Sequence, residues 1–235
     1  MWNAWTSPPG RSEDPAGRVR CQFSVSLDGF MAGPDQSREE PLGAGGEALH
    51  DWVVALEAWR RPHGREGGVV NASSAVLEQA TAGIGATVMG RNMFGGGPGG
   101  WDDGSWTGWW GDEPPFHHPV FVLTHHEREP LEMAGGTTFE FVTGGLEEAI
   151  DRARAAAAGR DVAIGGGAET IRQAIVAGRL DELWLHVVPI LLGAGERPLP
   201  DGPVEGLTLE RRSVVDGPGA THIELRLHRG PGRDG

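Results

Sequence analysis

Apolar residues alternate with polar ones at Val19, Cys21, Phe23 and Val25, the two-residue period of a strand. After Ser26-Leu27-Asp28-Gly29-Phe30 comes a loop rich in Gly and Pro, up to Gly46. Over residues 47–59 the apolar positions are Leu49, Trp52, Val53, Leu56 and Trp59. That spacing predicts one helix, opening after Gly45-Gly46. Residues 61–68 break the chain, and residues 72–82 predict a second helix with Asn71 as its N-cap. Short apolar runs predict strands over 86–89, 120–123, 138–142, 162–164 and 182–188. Helices are predicted over 146–158 and over 168–177, the second closing at Gly178. The last two strands, 207–215 and 221–227, flank the turn sequence DGPG. Alternating strands and helices imply an α/β fold. Its central sheet is expected to be mostly parallel and flanked by helices, with an antiparallel C-terminal ribbon. Residues 18–229 read as one domain, with polar, Pro- and Gly-rich residues 1–17 and residues 230–235 as tails.

Candidate chemistry gathers at the carboxyl ends of the predicted strands, where open α/β sheets bind ligands. The run DVAIGGGAETI at 161–171 takes a short strand through Gly165, Gly166 and Gly167 into a helix. Glycine lets the backbone turn sharply and approach a ligand, and a helix start offers free N–H groups to a phosphate. This is either a nucleotide pyrophosphate site or an ordinary strand-to-helix turn. It lacks the third glycine of the Rossmann fingerprint and follows several strands, so a Rossmann domain is not expected. Arg91, at the end of a strand, is placed either to pair with a phosphate or to make a surface ion pair. Thr124, His125 and His126 could meet a 2′-phosphate. Residues 95–118 form a long loop holding Trp101, Trp106, Trp109 and Trp110. Its rings either stack on a substrate or pin the loop to the body. Trp110, and Trp52 on the first helix, are the substrate candidates.

Composition narrows the function. The chain has 235 residues and a formal net charge of −13, which argues against nucleic acid as a partner. No apolar run reaches the length of a membrane span, and residues 1–18 lack the apolar stretch of a secretory signal. The single cysteine, Cys21, fits a reducing cytoplasm and reads as a small buried hydrophobe. All 20 basic residues are arginine and tyrosine is absent, so catalysis by lysine or tyrosine is excluded. Neither His117-His118 nor His125-His126 makes a metal clamp, because neighbours on a strand point to opposite faces. No metal is expected.

The ordered set SLDG, MGRNMF, VFVLTHH, IGGGAETIRQ and DELWLHVVPILLGAGE resembles the dihydrofolate reductase superfold. It is most similar to the branch that holds the reductase domain of riboflavin biosynthesis, the RibD C-terminal domain. The resemblance spans residues 19–227. It implies an NADPH-dependent reductase, an oxidoreductase of the cytoplasm that works on a small-molecule substrate, and a homodimer built through C-terminal elements. It assigns cofactor phosphates to Gly90, Arg91 and Asn92, and the 2′-phosphate to Thr124, His125 and His126. It assigns the pyrophosphate and nicotinamide to Gly165, Gly166, Gly167, Ala168, Glu169 and Thr170. It places Ser26, Leu27, Asp28 and Gly29 beside the nicotinamide and substrate.

The implied reaction is hydride transfer to a C=N or C=O bond of a small pterin- or pyrimidine-like heterocycle. The proton comes from Asp28, His50 or an ordered water. His50 and Asp51 lie off the apolar stripe of the first helix, and neither matches the carboxylate of folate reductases. The zinc deaminase signature of bifunctional riboflavin enzymes is absent. Two alternatives stand beside this reading. One is a stand-alone 5-amino-6-(5-phosphoribosylamino)uracil reductase. The other is a nucleotide- or drug-binding module without turnover.

Overall fold

A computed structural model describes residues 17–95, 97, 99–101 and 105–230. The expected tails, apart from Gly17 and Gly230, lie outside the described residues. Nine strands form one sheet. They are β1 Val19–Ser26, β2 Ile84–Gly90, β3 Pro119–Leu123, β4 Leu131–Glu132, β5 Thr138–Val142, β6 Asp161–Gly166, β7 Glu182–Val188, β8 Leu207–Gly217 and β9 Ala220–Arg229. Their order across the sheet is β4-β5-β3-β2-β6-β1-β7-β9-β8. The six strands from β5 to β7 run parallel, β4 pairs antiparallel at one edge, and β9 and β8 form the antiparallel ribbon at the other. The expected fold class is therefore observed.

Alternation along the strands sends their side chains to two faces, and each face is covered differently. Cys21, Phe23, Val88, Phe121, Ile164 and Leu183 pack into one core with helices α5 (Gly145–Ala157) and α6 (Ala168–Val176). α5 buries Leu146, Ala149, Ile150, Ala153 and Ala157, the stripe of an amphipathic helix. On the opposite face, Trp184 packs on Val76 and Ala80 of α3 (Ala72–Thr81). Further along that face, Met89, Val120, Val122 and Phe139 lie under Trp101, Trp106 and Trp110.

The first predicted helix differs from expectation. Residues 47–59 are not one helix. They form a 3-10 turn at Gly46–His50, α1 at Asp51–Val54 and α2 at Glu57–Arg60. Leu56 between them is extended, with φ −76° and ψ 138°. The cause is tertiary. Leu56 bridges to Val69, where Val69 N–H donates to the Ala55 carbonyl and Glu57 N–H to that of Val69. The apolar stripe still holds, because Leu49, Trp52, Val53 and Leu56 are all buried together. Two smaller differences follow from pairing. β6 runs on through Gly165 and Gly166, since β2 continues to pair with it up to Met89 opposite Gly166. β4 is too short for its period to show in sequence. No helix among the described residues is long and apolar enough to cross a membrane.

The pairing register positions the site. β1 and β6 pair only at Val19–Val162, Arg20–Ala163 and Cys21–Ile164. Beyond that, β1 stays with β7 as far as Ser26 opposite Val188, while β6 stays with β2. The sheet forks there.

Candidate functional site

A cleft of about 840 Å³ opens at the fork. Its rim on the β2–β3–β6 side is largely backbone. Gly90 ends β2 and leads into the short helix α4, Arg91–Phe94. A Cβ on Gly90 would sit 2.6 Å from Thr170 Oγ1 and 3.4 Å from Gly167 N, so only glycine lets β2 meet the start of α6 this closely. Gly166 has φ +131°, a region open to glycine, and the Gly166–Gly167 peptide is cis. Gly167 caps α6 without any side-chain cap, and a Cβ there would meet nothing within 4 Å. Ala168, Glu169 and Thr170 line the cleft with the first turn of that helix. Free N–H groups at such a turn are suited to an anion.

Thr124 directly follows β3 and is buried, its hydroxyl accepting from His126 N–H at 3.1 Å. This turn carries His125 and His126 exposed at the cleft. Arg91 is more constrained than a bare phosphate partner. Its Nε donates to the Gly95 carbonyl, and its Nη1 reaches Thr124 Oγ1 at 3.5 Å. Its guanidinium also stacks on Trp101. So Gly90, Arg91, Asn92, Thr124, His125, His126, Gly165, Gly166, Gly167, Ala168, Glu169 and Thr170 all line one cleft.

Leu27 and Asp28 are not among the lining residues. Leu27 is 62% exposed, with its N–H on the Ile190 carbonyl. Asp28 accepts from Ser26 Oγ–H and from the backbone N–H groups of Leu192 and Gly193. The Ser26 hydroxyl first, then those two N–H groups, hold its carboxyl down at about 2. Asp28 thus ties the loop after β7 to the loop after β1, and a carboxylate held so low is a poor proton donor. His50 does line the cleft, and burial lowers its pKa. Trp52 lies beneath the cleft, buried, with Nε1–H on Ser24 Oγ at 3.0 Å. Trp110 lines the cleft while stacked on Phe139 and edge-on to Phe116, so it both faces the cleft and is pinned to the body. Among the described residues no group of three or more His, Cys, Asp or Glu is placed to hold a metal.

Sequence reasoning missed the β1 side of the cleft: Gln22, Ser24, Met31, Gln36 and Glu196. A signal was available. Gln22 and Ser24 are the polar positions of a strand in the middle of the sheet, where both faces are covered.

The fold and cleft define an α/β protein with a glycine-rimmed cleft at a fork in a largely parallel sheet. The RibD C-terminal domain model matches residues 18–222, and the chain belongs to that family. No curated protein matches it. Among solved structures, a protein described as a riboflavin biosynthesis protein from Shewanella sp. PV-4 is 20% identical, with a TM-score of 0.60 over 90% of this chain and 99% of that one. A dihydrofolate reductase from Enterococcus faecalis, complexed with NADP(H), is 14% identical with a TM-score of 0.49, over 92% and 98% of the two chains. A diaminohydroxyphosphoribosylaminopyrimidine deaminase/5-amino-6-(5-phosphoribosylamino)uracil reductase from Thermotoga maritima is 12% identical with a TM-score of 0.49, over 89% of this chain and 56% of that one.

Proposed function

We propose that the chain is an NADPH-dependent reductase of a small heterocycle. One observation carries this: three strand ends of a RibD C-terminal domain bring a bare helix start, two glycine turns and two exposed histidines to one cleft. The residues fit a dinucleotide. Gly165 to Thr170 would hold its pyrophosphate at the α6 start, and Gly90 to Asn92 would flank it. His125 and His126 would face a 2′-phosphate. When bound, the nicotinamide supplies the hydride. The chain's own contribution is positioning and the exclusion of water by the Trp-rich loop. With the Asp28 carboxyl held at about 2, the proton is left to an ordered water or to His50. The reading includes self-association through the β8–β9 ribbon, where Leu209 and Val214 are 52% and 51% exposed.

The test is a titration with NADPH and NADH, followed by nicotinamide fluorescence. Wild type is expected to prefer NADPH. His125→Glu, at an exposed position, should lower NADPH affinity about tenfold and leave NADH nearly unchanged, since only NADPH brings the extra phosphate. Absence of binding by either nucleotide would overturn the reductase.

A further inference from the structure

The β1–β7–β9 side of the cleft carries a row of polar side chains that hydride transfer does not require. Register places Ser24 opposite His186, and His186 opposite His222, so the three share a face. Gln22, two residues back on β1, shares it too. The side chains are linked. Ser73 Oγ, on α3, lies 2.8 Å from His222 Nε2. His222 Nδ1 lies 2.9 Å from His186 Nδ1. His186 Nε2 lies 3.4 Å from Gln22 Oε1, at the cleft. His222 and His186 are 1% and 2% exposed, and Trp52 covers both rings at 4.7 and 4.8 Å.

Burial keeps both imidazoles neutral, so each carries one N–H. One N–H on each ring lets the chain run in only two directions, which the Gln22 amide chooses between. With the Gln22 oxygen facing His186, as their 3.4 Å contact has it, His186 Nε2 carries the proton and its Nδ1 accepts. His222 Nδ1 therefore donates, and its Nε2 accepts from the Ser73 hydroxyl. Every donor points the same way, toward Gln22. The amide is held with its oxygen inward, which leaves its NH2 for the cleft.

This end of the cleft has no arginine among its described lining residues. It offers Gln22, Ser24, Met31, Gln36, His50, whose pKa burial lowers, and the carboxylate of Glu196. Arg91 reaches the other way, to Thr124 at the end of β3. Arg38 and Arg197, from the bordering segments, lie over the rings of Trp106 and Phe30. The chain has no lysine to supply instead.

We propose that this end binds an uncharged, unphosphorylated heterocycle, and that Gln22 recognises a ring carbonyl by donating an amide N–H, with His186, His222 and Ser73 as its positioning residues. This rests on the reading that the glycine rim holds the dinucleotide. It separates this chain's substrate from a phosphoribosylated pyrimidine.

The experiment is calorimetric titration of the NADPH-saturated protein with lumazine, uridine and uridine 5′-monophosphate. NADPH affinity is read first for every variant. Lumazine or uridine should bind, and the monophosphate should bind at least tenfold more weakly than uridine. Gln22→Leu should weaken the uncharged probe at least tenfold with NADPH affinity unchanged. His222→Phe should do the same, and combining it with Gln22→Leu should add little, because both remove one contact. Ser73→Ala, which trims only the far end of the chain, gives the same comparison if His222→Phe does not fold. Tighter binding of the monophosphate, no binding of any probe, or an unchanged Gln22→Leu would overturn the proposal. Failure of NADPH to bind while the probes follow this pattern would overturn the cofactor reading alone.

Discussion

The two walls of the fork are made of different material. The β2–β3–β6 rim is largely backbone: glycines, a helix start and a turn, contributed by motifs that are each local in sequence. The β1–β7–β9 wall is side chain: Gln22, Ser73, His186 and His222, separated by as many as 164 positions between Gln22 and its partner His186. A backbone wall is indifferent to most substitutions except where a Cβ intrudes. A buried polar chain is sensitive at every member, because removing one leaves its neighbour unsatisfied.

The largest test of that contrast is Trp52→Ala. Trp52 is 7% exposed, covers both histidines and bonds Ser24. Truncating a buried tryptophan costs about 3–5 kcal/mol. Urea denaturation should show that loss, while the folded fraction keeps its NADPH affinity. Equal damage to both walls would mean that they are not separate.

Next in size is the response to acid. Burial, helped by His222 and His50, lowers His186 to about 3, and burial with Arg160 and His117 lowers His118 to about 4. The unfolded chain binds protons from about pH 6.5 downward, where the folded chain does not. Stability is therefore complete above that pH and falls as pH drops toward 4, by up to about 1.4 kcal/mol per unit for His186 and by less for the partly exposed His118, whose charge solvent screens. Asp28 acts mostly below this window, since in the unfolded chain it is half protonated at its ordinary value of 3.8 and in the folded chain only near 2. The urea midpoint should fall steadily from pH 7 to 4. A flat profile would mean that the buried rings take up protons in place.

Smaller again is Gly90→Ala. Its Cβ would crowd Thr170 Oγ1, at a cost of about 1–3 kcal/mol. Thr170→Ala removes the crowding atom, so the double variant should recover most of the loss in both stability and NADPH binding. Additive losses would show that the close approach of β2 to α6 is not what glycine serves there.

The same contrast explains what sequence could show. The rim was legible because glycine runs and helix starts are local signals. Even Gly90 and Thr170, far apart in the chain, sit in motifs readable on their own. The broken helix at Leu56 was not legible, because its cause is a backbone bridge to Val69 that no periodicity records. Asp28 read as a proton donor because an Asp before Gly looks the same whether it faces a substrate or, as here, the amides of Leu192 and Gly193. The histidine chain was invisible for a similar reason. His186 and His222 each look like one polar residue in a strand, and only the register makes them neighbours.

The smallest effect is expected at Asn71, where the two kinds of signal meet. Asn71 Oδ1 accepts from Ser73 N–H at 2.9 Å, and Ser74 Oγ accepts from Asn71 N–H at 3.1 Å, a reciprocal cap on α3. The cap is local and was read from sequence. The residue it fixes, Ser73, begins the buried chain that was not. Asn71→Ala should cost about 1 kcal/mol, as loss of an N-cap generally does, and Asn71→Ser should restore most of it. If the cap also holds Ser73 in place for His222, Asn71→Ala and Ser73→Ala will be less than additive in urea denaturation. Strict additivity would make the cap a property of the helix alone, and would leave the floor of the cleft anchored by Trp52 and the sheet register without help from α3.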